Sequence, residues 1–130
     1  PTMRYIPREE NEVHCPLEYG MKIFGGKWKP RIICILSTRD IMRYTEIKKE
    51  LSNLTDTALS ASLKELVTDG IVEKKVFGSP QRIGYCLTPK GKEVIPILQD
   101  ICEWSGRHTS LDDVNTLPQC RRCDYIMSRR

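Results

Sequence analysis

Residues 44–88 read YTEIKKELSNLTDTALSASLKELVTDGIVEKKVFGSPQRIGYCLT, and the reading of this stretch decides the fold. Tyr44, Ile47 and Leu51 recur at helical spacing until Ser52-Asn53 breaks the pattern, which predicts a brief helix. Thr55 can cap a new helix running from about Asp56 to Thr68, with Leu59, Leu63, Leu66 and Val67 as its buried stripe. Asp69-Gly70 ends it, glycine taking the left-handed position that follows many helices. Ile71 to Phe77 and Ile83 to Thr88 are rich in β-branched and aromatic residues. The turn-forming Gly78-Ser79-Pro80-Gln81 between them predicts a hairpin.

A short helix, a tight turn, a second helix and then a hairpin is the plan of a winged helix-turn-helix. In it the second helix lies in the major groove of DNA, and the hairpin reaches the neighbouring backbone or minor groove. The helix over 56–68 has the two faces this needs. Opposite its leucines stand Thr57, Ala61, Lys64, Glu65 and Thr68, with Ser60 at the border. Small and hydroxyl-bearing side chains allow close approach to DNA. Thr55, Thr57 and the free N–H groups of the helix start can donate to phosphates, and Lys64 can reach a phosphate or a guanine. Thr45, in the first helix of the pair, and Arg82, just past the hairpin tip, complete the candidate DNA contacts. Any one of these residues also suits a solvated helix face; the order of elements favours DNA.

Towards the N-terminus, Cys15 to Phe24 reads as a short helix with Leu17, Met21 and Phe24 at helical spacing, stopped by Gly25-Gly26. Lys27 to Ser37 reads as a second helix. Trp28, Ile32, Ile35 and Leu36 line one side, Ile33 and Cys34 widen the apolar arc, and Pro30 is tolerated in the first turn. Asp40 to Arg43 is an extended link. Towards the C-terminus, Thr88-Pro89 opens one long helix predicted to reach about His108. Its apolar residues Val94, Ile95, Ile97, Leu98, Ile101, Cys102 and Trp104 cover more of the wheel than one core needs. The surplus can pack on the N-terminal helix or on a second subunit, with Ile97, Ile101 and Trp104 as candidate dimer contacts. The expected class is mainly α (α+β). Residues 1–14 form an extension, 15–108 the winged domain with terminal dimerisation helices, and 109–130 a polar tail.

The chain has 130 residues, 39% apolar and 29% charged, which suits one globular domain. No apolar run approaches the roughly 20 residues of a membrane helix, and Pro1 to Glu12 has no signal-peptide core, so a cytoplasmic location is expected. The net charge is only +4, but it is unevenly placed. Residues 25–49 hold seven Lys or Arg against two acids, and residues 73–92 hold five against one. Two basic stretches suit a surface that straddles a phosphate backbone, although charge runs are also ordinary solvated faces. No Ser-His-Asp array, phosphate loop or carboxylate pair is apparent, so neither an enzyme nor a cofactor is expected.

Several of these stretches resemble one family. Cys15-Pro16-Leu17-Glu18-Tyr19 followed by Gly25-Gly26-Lys27-Trp28-Lys29 is similar to the N-terminal signature of the HxlR-type winged-helix regulators, relatives of the MarR proteins. Arg43-Tyr44-Thr45-Glu46-Ile47, the run from Leu59 to Gly70-Ile71-Val72, and Tyr85-Cys86-Leu87-Thr88-Pro89-Lys90-Gly91 resemble further family motifs. The resemblance covers about Cys15 to His108. It implies a homodimer, built by the terminal helices, that binds a two-fold operator in double-stranded DNA. The chain departs from the family where it has Gly84 in place of an acidic residue before the wing tyrosine, and Ala61 in place of a larger polar residue.

Six cysteines are present. Cys15 lies at a helix start, where the dipole favours the thiolate, and the resemblance implies that a cysteine there can sense oxidants or electrophiles. A small buried residue chosen for packing is the other reading of Cys15. Cys34, Cys86 and Cys102 sit in apolar patterns. Cys120 and Cys123 form half a zinc site at most, so no metal is expected. Two alternatives to a dimeric repressor remain: a winged helix that only binds protein, and a redox or metal protein built on Cys120 and Cys123.

Overall fold

The computed structural model describes residues 15–108. The element order is α1 (Pro16–Phe24), α2 (Lys29–Leu36), α3 (Tyr44–Glu50), α4 (Asp56–Thr68), β1 (Val72–Phe77), β2 (Arg82–Leu87), α5 (Pro89–Lys92) and α6 (Val94–Gly106). The fold is a winged helix-turn-helix of the α+β class. The expectations for residues 1–14 and 109–130, Cys120 and Cys123 among them, concern positions outside the described residues.

One core joins the elements. Ile32, Ile33 and Leu36 of α2 meet Ile47 of α3 and Leu59, Leu63 and Leu66 of α4, with Val94 and Leu98 of α6 closing the cluster. Burial of these leucines and isoleucines contributes roughly 1.5–3 kcal/mol each. The wing strands pair antiparallel with Val72 opposite Leu87 and Phe77 opposite Arg82. The extended link before α3 adds a short third rung, because Met42 and Tyr85 exchange backbone hydrogen bonds of 2.9 and 2.7 Å. That rung pins the base of the wing to the body.

Local chemistry explains the helix ends. Thr55 Oγ1 accepts from the Ala58 N–H at 3.1 Å and starts α4. Gly70, at φ +76°, ends it in the left-handed region that side chains avoid. Thr88 donates to the Gly70 carbonyl and accepts from the Gly91 N–H, so one hydroxyl joins the end of α4 to the start of α5.

Two sequence expectations are corrected. The helix predicted to run unbroken from Thr88-Pro89 is two, separated at Glu93. Pro96 has no N–H to give the Lys92 carbonyl and its ring crowds that carbonyl, so the helix restarts with Pro96 in its first turn. Val67, assigned to the buried stripe of α4, is 36% exposed. In α1, Ile23 is buried and Phe24 packs half-buried against the core, while Leu17 and Met21 are 68% and 52% exposed. No described helix is long and apolar enough to cross a membrane.

Candidate nucleic-acid interface

The outward face of α4 carries Thr57, Ser60, Ala61, Lys64 and Thr68, all exposed. They stand opposite the buried Leu59, Leu63 and Leu66. Side chains near the start of this face are short, so a duplex can come close to the backbone there. Lys64 adds a cation in the middle. Its neighbour Glu65, expected on the same face, is exposed but held by Lys29 at 2.9 Å. An acid that would repel phosphate is thereby partnered by a cation.

The angle between α3 and α4 is fixed by one tyrosine. Tyr44 Oη lies 3.0 Å from Asp56 Oδ1, 3.3 Å from the Asp56 carbonyl and 3.4 Å from Ser60 Oγ. The Tyr44 ring also packs against the core. Ser60 thus faces α3 as well as the open side. Lys48 Nζ donates to the Leu54 carbonyl and closes the turn between the helices. At the start of α3, Glu46 accepts from the Arg43 backbone N–H at 2.9 Å and pairs with Arg39 at 3.0 Å.

The remaining candidates, Thr45 and Arg82, line a second feature: a cleft of about 520 Å³ between the start of α3 and the wing. Arg43, Tyr44, Gln81, Val76 and Ile83 complete its walls. Two guanidiniums and a hydroxyl converge here from residues about forty positions apart. Arg43 is exposed at the N-cap of α3, and Arg82 opens β2. Val76 and Ile83 are cross-strand partners, 62% and 59% exposed. Such an apolar pair between two arginines suits the sugar faces and phosphates of a nucleic-acid strand. Sequence reading missed Arg43 and Gln81. A cation immediately before a helix was the available signal for Arg43; nothing local distinguished Gln81.

Gly84 sits beside this cleft, buried. A Cβ there would come within 2.6 Å of Ile41 Cγ1 and 2.8 Å of Phe77 Cε1. The space that a side chain would need is filled by these two residues, so the departure at Gly84 is built into the packing.

The third surface is apolar. α6 carries two adjacent stripes: Val94 and Leu98 are buried, whereas Ile97, Ile101 and Trp104 are 46%, 49% and 60% exposed. The Trp104 and His108 rings meet at a tilt of 47°, with centroids 5.0 Å apart. Leu17 and Met21 of α1 are open as well. Cys15 caps α1 from an extended conformation and is partly exposed; Cys34 and Cys102 are half-buried and Cys86 is buried. Among the described residues there is no group of three or more potential metal ligands.

Residues 23–113 match the HxlR-like helix-turn-helix family. The chain is 37% identical over 102 residues to an uncharacterised HTH-type transcriptional regulator of Methanothermobacter thermautotrophicus, covering 78% of this chain and 77% of that one. It is 39% identical over 90 residues to the HTH-type regulator YdzF of Bacillus subtilis, covering 68% and 83%. Among solved structures, the redox regulator HypR in its oxidised form superposes with a TM-score of 0.66 at 31% identity over 74% of this chain and 98% of that one. The reduced transcriptional regulator YodB from B. subtilis gives 0.67 at 28% identity over 78% and 100%.

Proposed function

The chain belongs to the HxlR-like helix-turn-helix family of transcriptional regulators, which are not enzymes, and on that premise we propose that it is a cytoplasmic homodimeric repressor of a two-fold operator. The observation that carries the reading is the open face of α4, with Thr57, Ala61 and Lys64 outward, set beside the Arg43–Arg82 cleft. The helix reads base edges, Thr55 and Thr45 hold phosphates, and the cleft holds the flanking strand.

Support for the dimer comes from the open apolar stripes. Large apolar side chains such as Trp104, Ile101, Ile97 and Leu17 forgo the stabilisation of burial while they stay in water. A second copy covers them and places two recognition helices on one face of the duplex. Cys15 is the proposed sensor: it starts α1, it is partly exposed, and HypR, to which the chain is similar, is a redox regulator. Modification of its thiol by an oxidant or electrophile then alters the stance of α1.

The test is a titration against duplex DNA from the promoter beside the protein's own gene, at several salt concentrations, with reduced and oxidised protein. Tight, sequence-selective binding with a steep salt slope is expected. Its loss on oxidation, absent in Cys15→Ser, identifies the sensor. Absence of selective binding in either state overturns the repressor reading in favour of a protein-binding winged helix.

A further inference from the structure

We propose that Lys29 and Lys90 are positioning residues that set the distance between the two recognition helices, and so the half-site spacing the dimer accepts. The inference rests on the dimeric DNA-binding reading above. Each lysine bridges the same two helices. Lys29 Nζ pairs with Glu65 Oε2 of α4 at 2.9 Å and donates to the Lys22 carbonyl of α1 at 3.5 Å. Lys90 Nζ donates to the carbonyl of Asp69, the C-cap of α4, at 2.9 Å and to Tyr19 Oη of α1 at 3.1 Å. Its charge also sits 5.7 Å from the Tyr19 ring centroid.

The spacing of the anchor points makes this a pair of parallel ties. Tyr19 and Lys22 are three apart on α1, and Glu65 and Asp69 are four apart on α4, so each pair lies on one side of its helix. The Tyr19–Lys22 side of α1 lies across the helix from Leu17 and Met21, the open apolar residues. α1 therefore stands between the proposed partner subunit and the end of the recognition helix. The ties act on a helix seated in the core by Ile23, its one buried residue, and by the half-buried Phe24. Glu65 and Lys90 are exposed, and contacts with an exposed partner add little to stability, so the role of these lysines is orientation.

One added base pair moves a half-site along the duplex and around it, so helix separation is read directly as spacing preference. Half-sites are selected with the wild-type protein from random-sequence duplexes. Affinity is then measured for one half-site, and for two at the preferred spacing and at one base pair more or less. The wild type is expected to favour its spacing by about 10-fold, and the Lys29→Met/Lys90→Met double variant by less than about 3-fold. Freeing the Glu65 carboxylate lowers affinity by a factor shared by a single half-site and by every spacing, and the melting midpoint stays within about 3 °C. Tyr19→Phe/Glu65→Gln, which keeps both cations, reproduces the loss, and Lys90→Arg restores part of the preference.

A double variant with the full spacing preference overturns the inference. So does a loss of affinity at every spacing that tracks a fall in melting midpoint, which marks a merely structural role. A wild type with no selective duplex binding overturns the regulator reading itself, and this inference with it.

Discussion

α4 and α6 are both thirteen residues long, and both bury leucines in the same core. Their outer faces are opposites. α4 turns threonines, serine, alanine and lysine outward, whereas α6 turns out Ile97, Ile101 and Trp104. The contrast teaches that exposure alone does not name a partner; the chemistry of the exposed side does. A polar, small and cationic face fits a hydrated polyanion. An apolar stripe next to the stripe already buried fits another apolar surface.

The comparison breaks first at the shared core. Leu63→Ala in α4 and Leu98→Ala in α6 are each expected to cost about 2–4 kcal/mol in urea unfolding, because both side chains leave a cavity. Val67→Ala, on the exposed edge of α4, is expected to cost under about 0.5 kcal/mol. Equal costs for Leu63 and Val67 would mean that α4 is seated with a different face inward.

Next comes the outer face of α6. Ile101→Asp with Trp104→Asp is expected to weaken self-association at least about 30-fold in sedimentation, since a central aromatic carries much of an interface. Operator affinity falls with it, while the helical content stays. An unchanged sedimentation profile would remove α6 from the interface.

The face of α4 and its cleft come third. Arg43→Ala and Arg82→Ala are each expected to weaken DNA binding about 10-fold across sequences and to lower the log–log salt slope by about one. Self-association through α6 should change little over the same salt range. A dimer as salt-sensitive as DNA binding would erase the distinction between the two faces.

The smallest effect separates how the two helices begin. Thr55→Ala removes the cap on α4 and is expected to cost about 1 kcal/mol in unfolding. Glu93, at the corresponding position of α6, makes no side-chain cap, and Glu93→Ala is expected to cost under about 0.5 kcal/mol.

The order of elements was legible in the sequence because period, caps and turn residues agree from Tyr44 to Thr88. Leu59, Leu63 and Leu66 were placed in the core by spacing alone. Val67 was misplaced because it borders that stripe, and a border residue is buried only if a neighbour covers it. Leu17 and Met21, read only as lying at helical spacing, are a different case. A short helix with apolar residues on more than one side does not reveal which side its own chain will cover. The break before α6 was written in Pro96, whose missing N–H outweighs the good helix formers around it. The outward residues of α4 followed from the wheel. The cleft did not, because Arg43 and Arg82 meet only when the Met42–Tyr85 rung folds the link onto the wing.

That rung, with the interlock of Ile41 and Phe77 over Gly84, has a consequence for binding entropy. A hairpin hinged only at its base samples many poses in solution and must give them up when it grips a strand, and that loss subtracts from affinity. Here β2 is bonded to the link at Met42, and Ile41 of that link and Phe77 of β1 fill the space over Gly84. The strand that carries Arg82 is anchored before any ligand arrives. On the proposed reading, a wing already ordered enters the complex with DNA, and more of each phosphate contact would survive as net affinity.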